Sequence, residues 1–177
     1  MRHLPKAEAS VIWDEFLAKT QTEAFKCEVL QDYSVIDKSP SLDAWLAGDK
    51  AKSIEITKTT PPNPWQTNYG AKAFRKIRLH MVEEPRTPYI EWEVELYRRL
   101  MIPIMHEDVR LVPKSKVADL NIPDGDFWIF DDTYVVKYYY NEAGVYAGDV
   151  YDETDDISAL LTVKEQLLKL AEPLTAI

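Results

Sequence analysis

The middle of the chain alternates apolar and polar side chains with the period of a β-strand. Residues 76–81 (KIRLHM) and 90–96 (IEWEVEL) place an apolar side chain at every second position. Residues 84–88 between them contain two prolines, so the pattern predicts an antiparallel hairpin with one solvent-exposed face. The same spacing predicts further strands over residues 25–30, 108–112, 126–130, 134–140 and 145–149.

Helical periodicity is found mainly at the two ends of the chain. Residues 8–25 carry an apolar stripe that predicts an amphipathic helix. A second helix is predicted to begin at Asp156, a suitable N-cap, and to stop at Pro173. Two shorter helical segments are predicted over residues 39–46, ended by Gly48, and over residues 114–120.

Central strands flanked by helices predict an α+β fold. We expect a mainly antiparallel twisted sheet with the N-terminal and C-terminal helices packed on one face. With 177 residues, 46% of them hydrophobic, residues 1–177 are expected to form a single domain. The proline cluster predicts a mobile loop at 59–64. Because Trp65 follows this loop, we expect it to be more exposed than Trp92 and Trp128.

Composition and charge narrow the classes of function. A formal net charge of −9 at pH 7 argues against direct nucleic-acid binding, which depends on clustered Lys and Arg. The single cysteine, Cys27, and an N-terminus without an apolar run predict a cytoplasmic protein. No stretch approaches the roughly 20 apolar residues of a membrane span. The sequence contains neither metal-ligand spacing nor a phosphate-binding glycine loop, so no metal or other cofactor is expected.

Carboxylates on the predicted hairpin are the first candidate for chemistry. Glu91 and Glu93 would point to one side of their strand, within cross-strand reach of His80. Asp108, at the start of a later strand, would lie nearby. Such carboxylates can hold a divalent cation or act as general acid and base, which gives the hypothesis of a metal-dependent hydrolase or nuclease. The alternative is an ordinary solvated strand whose charges neutralise one another.

The segment DFWIFDD, which ends at Asp132, is the second candidate. Its alternation places Trp128 and Phe130 on one side, next to the carboxylates of the segment. An apolar floor with carboxylates at its rim can bind a cationic or aromatic ligand, or a partner helix. The alternative is a central strand buried on both faces. We expect a structural role for Asp126 and a binding role for the turn carboxylates of Asp131 and Asp132.

The same segment, followed by Val135, Val136 and Gly144, resembles the bacterial domain-of-unknown-function family DUF6879, which is marked by an Asp-Phe-Trp-Leu-Phe-Asp core. His106 stands where this family usually has a glycine, and residues 59–64 resemble an insertion. Weaker similarities are found at residues 24–25, 46–48, 75–82, 92–93 and 107–110. Members of the family often accompany small helix-turn-helix regulators, so the resemblance implies a regulatory accessory.

Two functional hypotheses follow from these observations. The leading one is a non-catalytic binding or regulatory accessory module that acts through a protein partner, with a helix-turn-helix regulator as one candidate. Its binding residues would come from the DFWIFDD segment. The alternative is the metal-dependent hydrolase or nuclease, an enzyme that would use the carboxylates of the hairpin.

Overall fold

The computed structural model describes residues 1–35, 38–141 and 146–177. The strands are β1 Arg2–Pro5, β2 Glu23–Glu28, β3 Arg75–Val82, β4 Glu107–Pro113, β5 Asp126–Phe130, β6 Tyr134–Tyr140, β7 Tyr146–Tyr151 and β8 Glu172–Pro173. The helices are α1 Lys6–Lys19, α2 Pro40–Leu46, α3 Lys50–Thr59, α4 Pro64–Gly70, α5 Pro88–Leu96 and α6 Ser158–Leu170. A π-helical turn, Tyr97–Met101, continues α5, and a 3-10 turn, Lys114–Lys116, follows β4.

The eight strands found in the described ranges belong to one sheet with the order β1-β7-β6-β5-β2-β3-β4-β8. The pairs β2–β3 and β3–β4 are parallel, and the other neighbours are antiparallel. The predicted α+β fold with a mainly antiparallel sheet is thereby confirmed. Parallel neighbours need crossover connections, and these contain α2 to α4 in one case and α5 in the other.

Helices cover both faces of the sheet, rather than the single face that the sequence predicted. On one face α6 packs through Leu167 against a core that contains Phe127. On the opposite face α1 packs through Phe16 against a core that contains Trp128. Because side chains alternate across a strand, neighbouring residues of β5 enter different cores. The strand is therefore buried on both sides.

Residues 90–96 form a helix, so the predicted strand and its hairpin with residues 76–81 are wrong. Thr87 caps α5, since its Oγ1 accepts a hydrogen bond from Ile90 N at 3.2 Å, and Pro88 occupies the first turn. The helix buries residues on several sides, so its apolar residues do not form the single stripe that indicates a helix. The alternating glutamates instead indicated a strand. β3 instead pairs with β2 and β4.

Several predicted boundaries also change. α1 begins and ends earlier than predicted, and β2 begins at Glu23. Only a 3-10 turn forms within the predicted helix 114–120. The polar helices α3 and α4 were not predicted, and α4 begins inside the proline cluster, where Asn63 and Gln66 form a capping box. The predicted turn at 141–144 and Val145, the predicted start of β7, lie outside the described residues, apart from Asn141.

The exposure of the large apolar side chains agrees with the prediction for the tryptophans. Trp92 and Trp128 are 4% and 6% exposed, whereas Trp65 is 43% exposed. Within the described ranges, no helix combines the length and the apolar character that crossing a bilayer requires.

Gly125 precedes β5 and adopts a left-handed backbone conformation that residues with a side chain rarely take. Its φ is +82°, and an added Cβ would lie 1.9 Å from Tyr138 O on β6. We expect Gly125→Ala to lower the free energy of unfolding by about 2 kcal/mol, because strain at positive φ adds to this clash. Gly48 is the matched control, since its φ is +86° but no atom lies within 4 Å of an added Cβ. Gly48→Ala should cost about 1 kcal/mol in urea unfolding, and equal costs for the two variants would contradict the clash.

Candidate functional site

A network of buried charges crosses β2, β3 and β4 on the sheet face that α1 covers. Arg78 Nη1 donates to Glu28 Oε1 at 2.7 Å, and Arg78 Nε donates to Glu107 Oε2 at 2.6 Å. Lys26 forms a further ion pair with Glu28. The side chains of Arg78, Glu28 and Glu107 are 8%, 4% and 2% exposed. The polar face of β3, predicted to meet solvent, is instead buried because carboxylates of both neighbouring strands replace water.

His80 extends this network towards α5. Its Nε2 lies 2.7 Å from Leu30 O, an acceptor, so Nε2 carries a proton. Tyr97 Oη lies 2.9 Å from His80 Nδ1 and donates to Glu28 Oε2 at 2.7 Å. Glu93 Oε2 lies 3.2 Å from the same Nδ1. The network therefore joins three strands, α5 and the π-helical turn.

Burial and neighbouring charges shift the pKa values of this network. Burial alone would raise the pKa of Glu28, but Arg78 and Lys26 outweigh it and lower this pKa far below its usual range. Burial would lower the pKa of His80, but Glu93 and Glu28 raise it. Burial, opposed by His80, raises the pKa of Glu93. The pair of His80 and Glu93 therefore retains a proton more readily than either group does in water.

Asp126 begins β5 and accepts hydrogen bonds from three groups. Its Oδ1 accepts from Val29 N at 2.9 Å and from Tyr33 Oη at 2.8 Å. Its Oδ2 accepts from Tyr140 Oη at 3.1 Å. Asp126 is 1% exposed, and burial raises its pKa. These bonds connect the start of β5 to the segment that follows β2.

An open pocket of about 280 Å³ lies beside this network, between α1 and the hairpin of β5 and β6, and Lys26 belongs to both. The indoles of Trp13 and Trp128 meet edge to face at 5.2 Å, and Lys26 Nζ lies 5.5 Å from the centre of the Trp128 ring. Aromatic faces together with carboxylates suit a cation that carries an apolar part. The lining residues are Ser10, Trp13, Asp14, Lys26, Asp126, Trp128, Tyr138 and Tyr140.

A second groove, beside Trp92 and Leu96, has a volume of about 190 Å³. Its lining consists of apolar and uncharged polar side chains. It does not touch the charged network, so the pocket beside Trp128 is the stronger candidate for recognition.

The family described as a domain of unknown function (DUF6879) matches residues 12–176. The chain belongs to DUF6879. The match confirms the resemblance seen in the DFWIFDD segment, and it includes the whole charged network and every pocket residue except Ser10. None of the curated proteins compared with the chain matches it.

Two solved structures have folds similar to this DUF6879 member at low identity. TrmBL2, an archaeal chromatin protein described with a novel mode of DNA binding, is 12% identical with a TM-score of 0.47, and the match covers 97% of this chain and 52% of that chain. The phosphatidylserine synthase of Haemophilus influenzae Rd KW20 is 12% identical with a TM-score of 0.41, covering 97% and 38%. The DUF6879 chain thus spans about half of the first protein and less of the second.

The DUF6879 fold separates the carboxylates that the sequence placed on one hairpin face. Glu91 is exposed and pairs with Lys50 Nζ at 2.9 Å. Glu93 is buried against His80, and Asp108 lies on β4 between two arginines. Because residues 90–96 are helical, these carboxylates do not share an open face. The shared carboxylate face is therefore wrong, whereas a catalytic role of Glu91, Glu93, Asp108 or His80 stays a prediction.

The residues of the second predicted set have different surroundings. Asp126 and Trp128 line the pocket, whereas Phe130 is 0% exposed and belongs to the core under α1. Asp131 accepts from three backbone N–H groups at and before the start of β2, at 2.7 to 2.9 Å. Asp132 Oδ1 lies 2.5 Å from the ammonium group of a lysine in α6. The binding role of Asp131 and Asp132 stays a prediction, and both carboxylates already have intramolecular partners.

The sequence interpretation missed the members that hold the network together in this DUF6879 protein. Glu28, Tyr97 and Glu107 come from three separate elements, so no motif joins them. The sequence shows that Arg78 and His80 share a face of one strand, and the structure adds that this strand is flanked on both sides by other strands. Charges on an internal strand need partners from its neighbours.

Proposed function

We propose that this protein is a non-catalytic binding module whose pocket between α1 and β5–β6 receives a cationic group of a protein partner. The observation that carries the proposal is the combination of aromatic faces and carboxylates around one cavity of about 280 Å³. The cationic group is an arginine or lysine side chain. A helix-turn-helix regulator remains one candidate for the partner, and the accessory role expected of the family is part of the same proposal.

Charge supports a cationic ligand. The chain has a formal net charge of −9, and a cleft with one sign of charge concentrates ions of the opposite sign. Lys26 Nζ lies 5.5 Å from the centre of the Trp128 ring, which is a cation–π contact within the protein. We expect a cation of the ligand to make the same kind of contact with the neighbouring aromatic rings. The pocket lining contains two acidic residues, Asp14 and Asp126, and one basic residue, Lys26, whose ammonium already pairs with buried Glu28.

The size and the bonding of the pocket support recognition rather than catalysis. A volume of about 280 Å³ lies at the lower end of the range for ligand sites and suits a single side chain. The buried carboxylate of Asp126 is already held by three donors, which fixes its position. A carboxylate fixed in this way suits charge recognition better than proton transfer.

Capped peptides provide the test. A peptide with a central arginine should bind at least about tenfold more tightly than the same peptide with citrulline, a difference of about 1.4 kcal/mol. Citrulline has the shape of arginine without its charge, so the comparison isolates the cation. Quenching of the tryptophan fluorescence, to which Trp13 and Trp128 contribute, measures both affinities.

Two substitutions in α1 test whether the peptide binds in this pocket. Asp14→Asn removes a carboxylate of the pocket and should weaken binding of the arginine peptide by about threefold to tenfold. Glu8→Gln makes the same change of charge on the same helix, outside the pocket, and should leave the affinity unchanged. Equal affinity for the arginine and citrulline peptides would contradict the proposal, and so would an equal loss in the two variants.

A further inference from the structure

The junction of β2, β3 and α5 contains more hydrogen-bond acceptors than donors. Glu28, His80 and Glu93 each direct one acceptor atom to this point, and the three atoms lie within 4.8 Å of one another. Tyr97 has a single hydroxyl proton, which it donates to Glu28 Oε2 at 2.7 Å. Glu93 Oε2 is buried and accepts no hydrogen bond from the residues that the structure describes. Buried acceptors of this kind need a hydrogen-bond donor or a cation as a partner.

The orientation of His80 suits a metal ligand. Its Nε2 donates to Leu30 O at 2.7 Å, and this bond directs Nδ1 towards the junction. Metal-bound histidines usually donate their other ring N–H to a backbone carbonyl or a carboxylate in this way. Arg78 Nη1 bonds Glu28 Oε1 at 2.7 Å, which leaves Oε2 facing the junction. The groups behind the junction therefore fix two of the acceptors.

The spacing of the acceptors suits a small ion. Four ligand atoms at about 2.0 Å from a tetrahedral Zn²⁺ lie roughly 3.3 Å from one another. His80 Nδ1 lies 3.2 Å from Glu93 Oε2 and 3.8 Å from Glu28 Oε2. Tyr97 Oη lies 2.9 Å from Nδ1 and 2.7 Å from Glu28 Oε2. Small side-chain movements are enough to bring these atoms around one ion.

We propose that Glu28, His80 and Glu93 bind one divalent transition-metal ion of the Zn²⁺ class, with Tyr97 Oη as a fourth donor. The two carboxylates neutralise the charge of the ion. An imidazole nitrogen in the set favours Zn²⁺ over Mg²⁺ and Ca²⁺, which prefer oxygen ligands. The three residues are at most 6% exposed, so the ion joins β2, β3 and α5 and has a structural role. The proposal does not depend on the function proposed for the pocket.

Metal titration of the chelator-treated protein tests the site. Zn²⁺ should bind at one equivalent and raise the melting temperature, whereas Mg²⁺ should do neither. Glu93→Gln keeps the size of the side chain and should weaken Zn²⁺ binding by at least about 100-fold. Glu91→Gln is the matched control, because Glu91 is exposed on the same helix and pairs only at the surface with Lys50. This control should bind Zn²⁺ like the wild type.

A second measurement keeps the test decisive if Glu93→Gln does not fold. Nitrogen NMR of the wild-type protein should show that Zn²⁺ shifts the resonance of His80 Nδ1. His80 Nε2 should keep the proton that it donates to Leu30 O. An unshifted Nδ1 overturns the proposal, as does the lack of stoichiometric Zn²⁺ binding or equal binding by Glu93→Gln and wild type. A proton shared between His80 and Glu93 is then the group that neutralises the junction.

Discussion

Arg78→Met should lower the free energy of unfolding by about 4 kcal/mol, because it removes the cation that two buried carboxylates share. Arg78 is the only residue that bridges Glu28 of β2 and Glu107 of β4 among the described contacts. Methionine fills a similar volume, so the loss reports on charge more than on packing. Urea unfolding at pH 7 measures the effect.

Arg75→Met is the matched control for this change. Arg75 lies on the same strand and also pairs with two carboxylates, but its side chain is 55% exposed. An exposed pair of this kind contributes at most about 1 kcal/mol. Equal losses in Arg78→Met and Arg75→Met would contradict a buried network.

The cost of Arg78→Met should also depend on pH. In the wild type Arg78 and Lys26 hold the pKa of Glu28 below its unfolded value, so this stabilisation is complete above about pH 4.3 and is lost as the pH falls towards the folded pKa. In Arg78→Met the charge that contributes most to this lowering of the Glu28 pKa is absent, so the variant has less of this stabilisation to lose as the pH falls. The difference between the two proteins should therefore shrink on acidification to about pH 3.

Asp126→Ala should lower the free energy of unfolding by about 3 kcal/mol. The substitution removes the Asp126 acceptor of Val29 N, Tyr33 Oη and Tyr140 Oη, and the loss of a hydrogen-bond partner costs a buried donor about 1 to 3 kcal/mol. The same substitution also removes a buried carboxylate, whose desolvation raises its pKa and disfavours folding. This gain offsets part of the loss, so the expected cost lies near the lower end of the sum over the three donors. Denaturant unfolding gives the value directly.

Asp14→Ala is the control for the same pocket. Asp14 is exposed on α1, so its loss should leave stability unchanged. If Asp126→Ala cost no more than Asp14→Ala, Asp126 would have no structural role. The comparison also separates the residue that builds the pocket from the residue that we propose to contact the ligand.

Most strands could be predicted from the sequence because their periodicity is local. β3, β4, β5 and β6 appear within one or two residues of their predicted positions. The segment 90–96 could not be assigned correctly, because its alternation of glutamates with apolar residues also fits a helix that is buried on several sides. The decisive local signal was Thr87 followed by Pro88, which caps α5 and had been interpreted as a turn.

The candidate site was only partly predictable. Asp126 and Trp128 could be proposed from the DFWIFDD segment alone, since a carboxylate beside aromatic residues is visible in sequence. The burial of Arg78 and His80 could not, because alternation along a strand does not tell which face is covered. Covering that face requires α1 and α5, and their positions follow from the order of the strands in the sheet.

The proposed recognition of a cation by the aromatic pocket is tested most directly by NMR of the indole N–H groups. The chain has five tryptophans, and two of them, Trp13 and Trp128, line the pocket. On titration with the arginine peptide we expect the signals of Trp13 and Trp128 to shift. The signals of Trp45 in α2 and Trp92 in α5, which belong to a different core cluster, should stay unchanged. Shifts at Trp45 and Trp92 with none at Trp13 and Trp128 would contradict the proposed site.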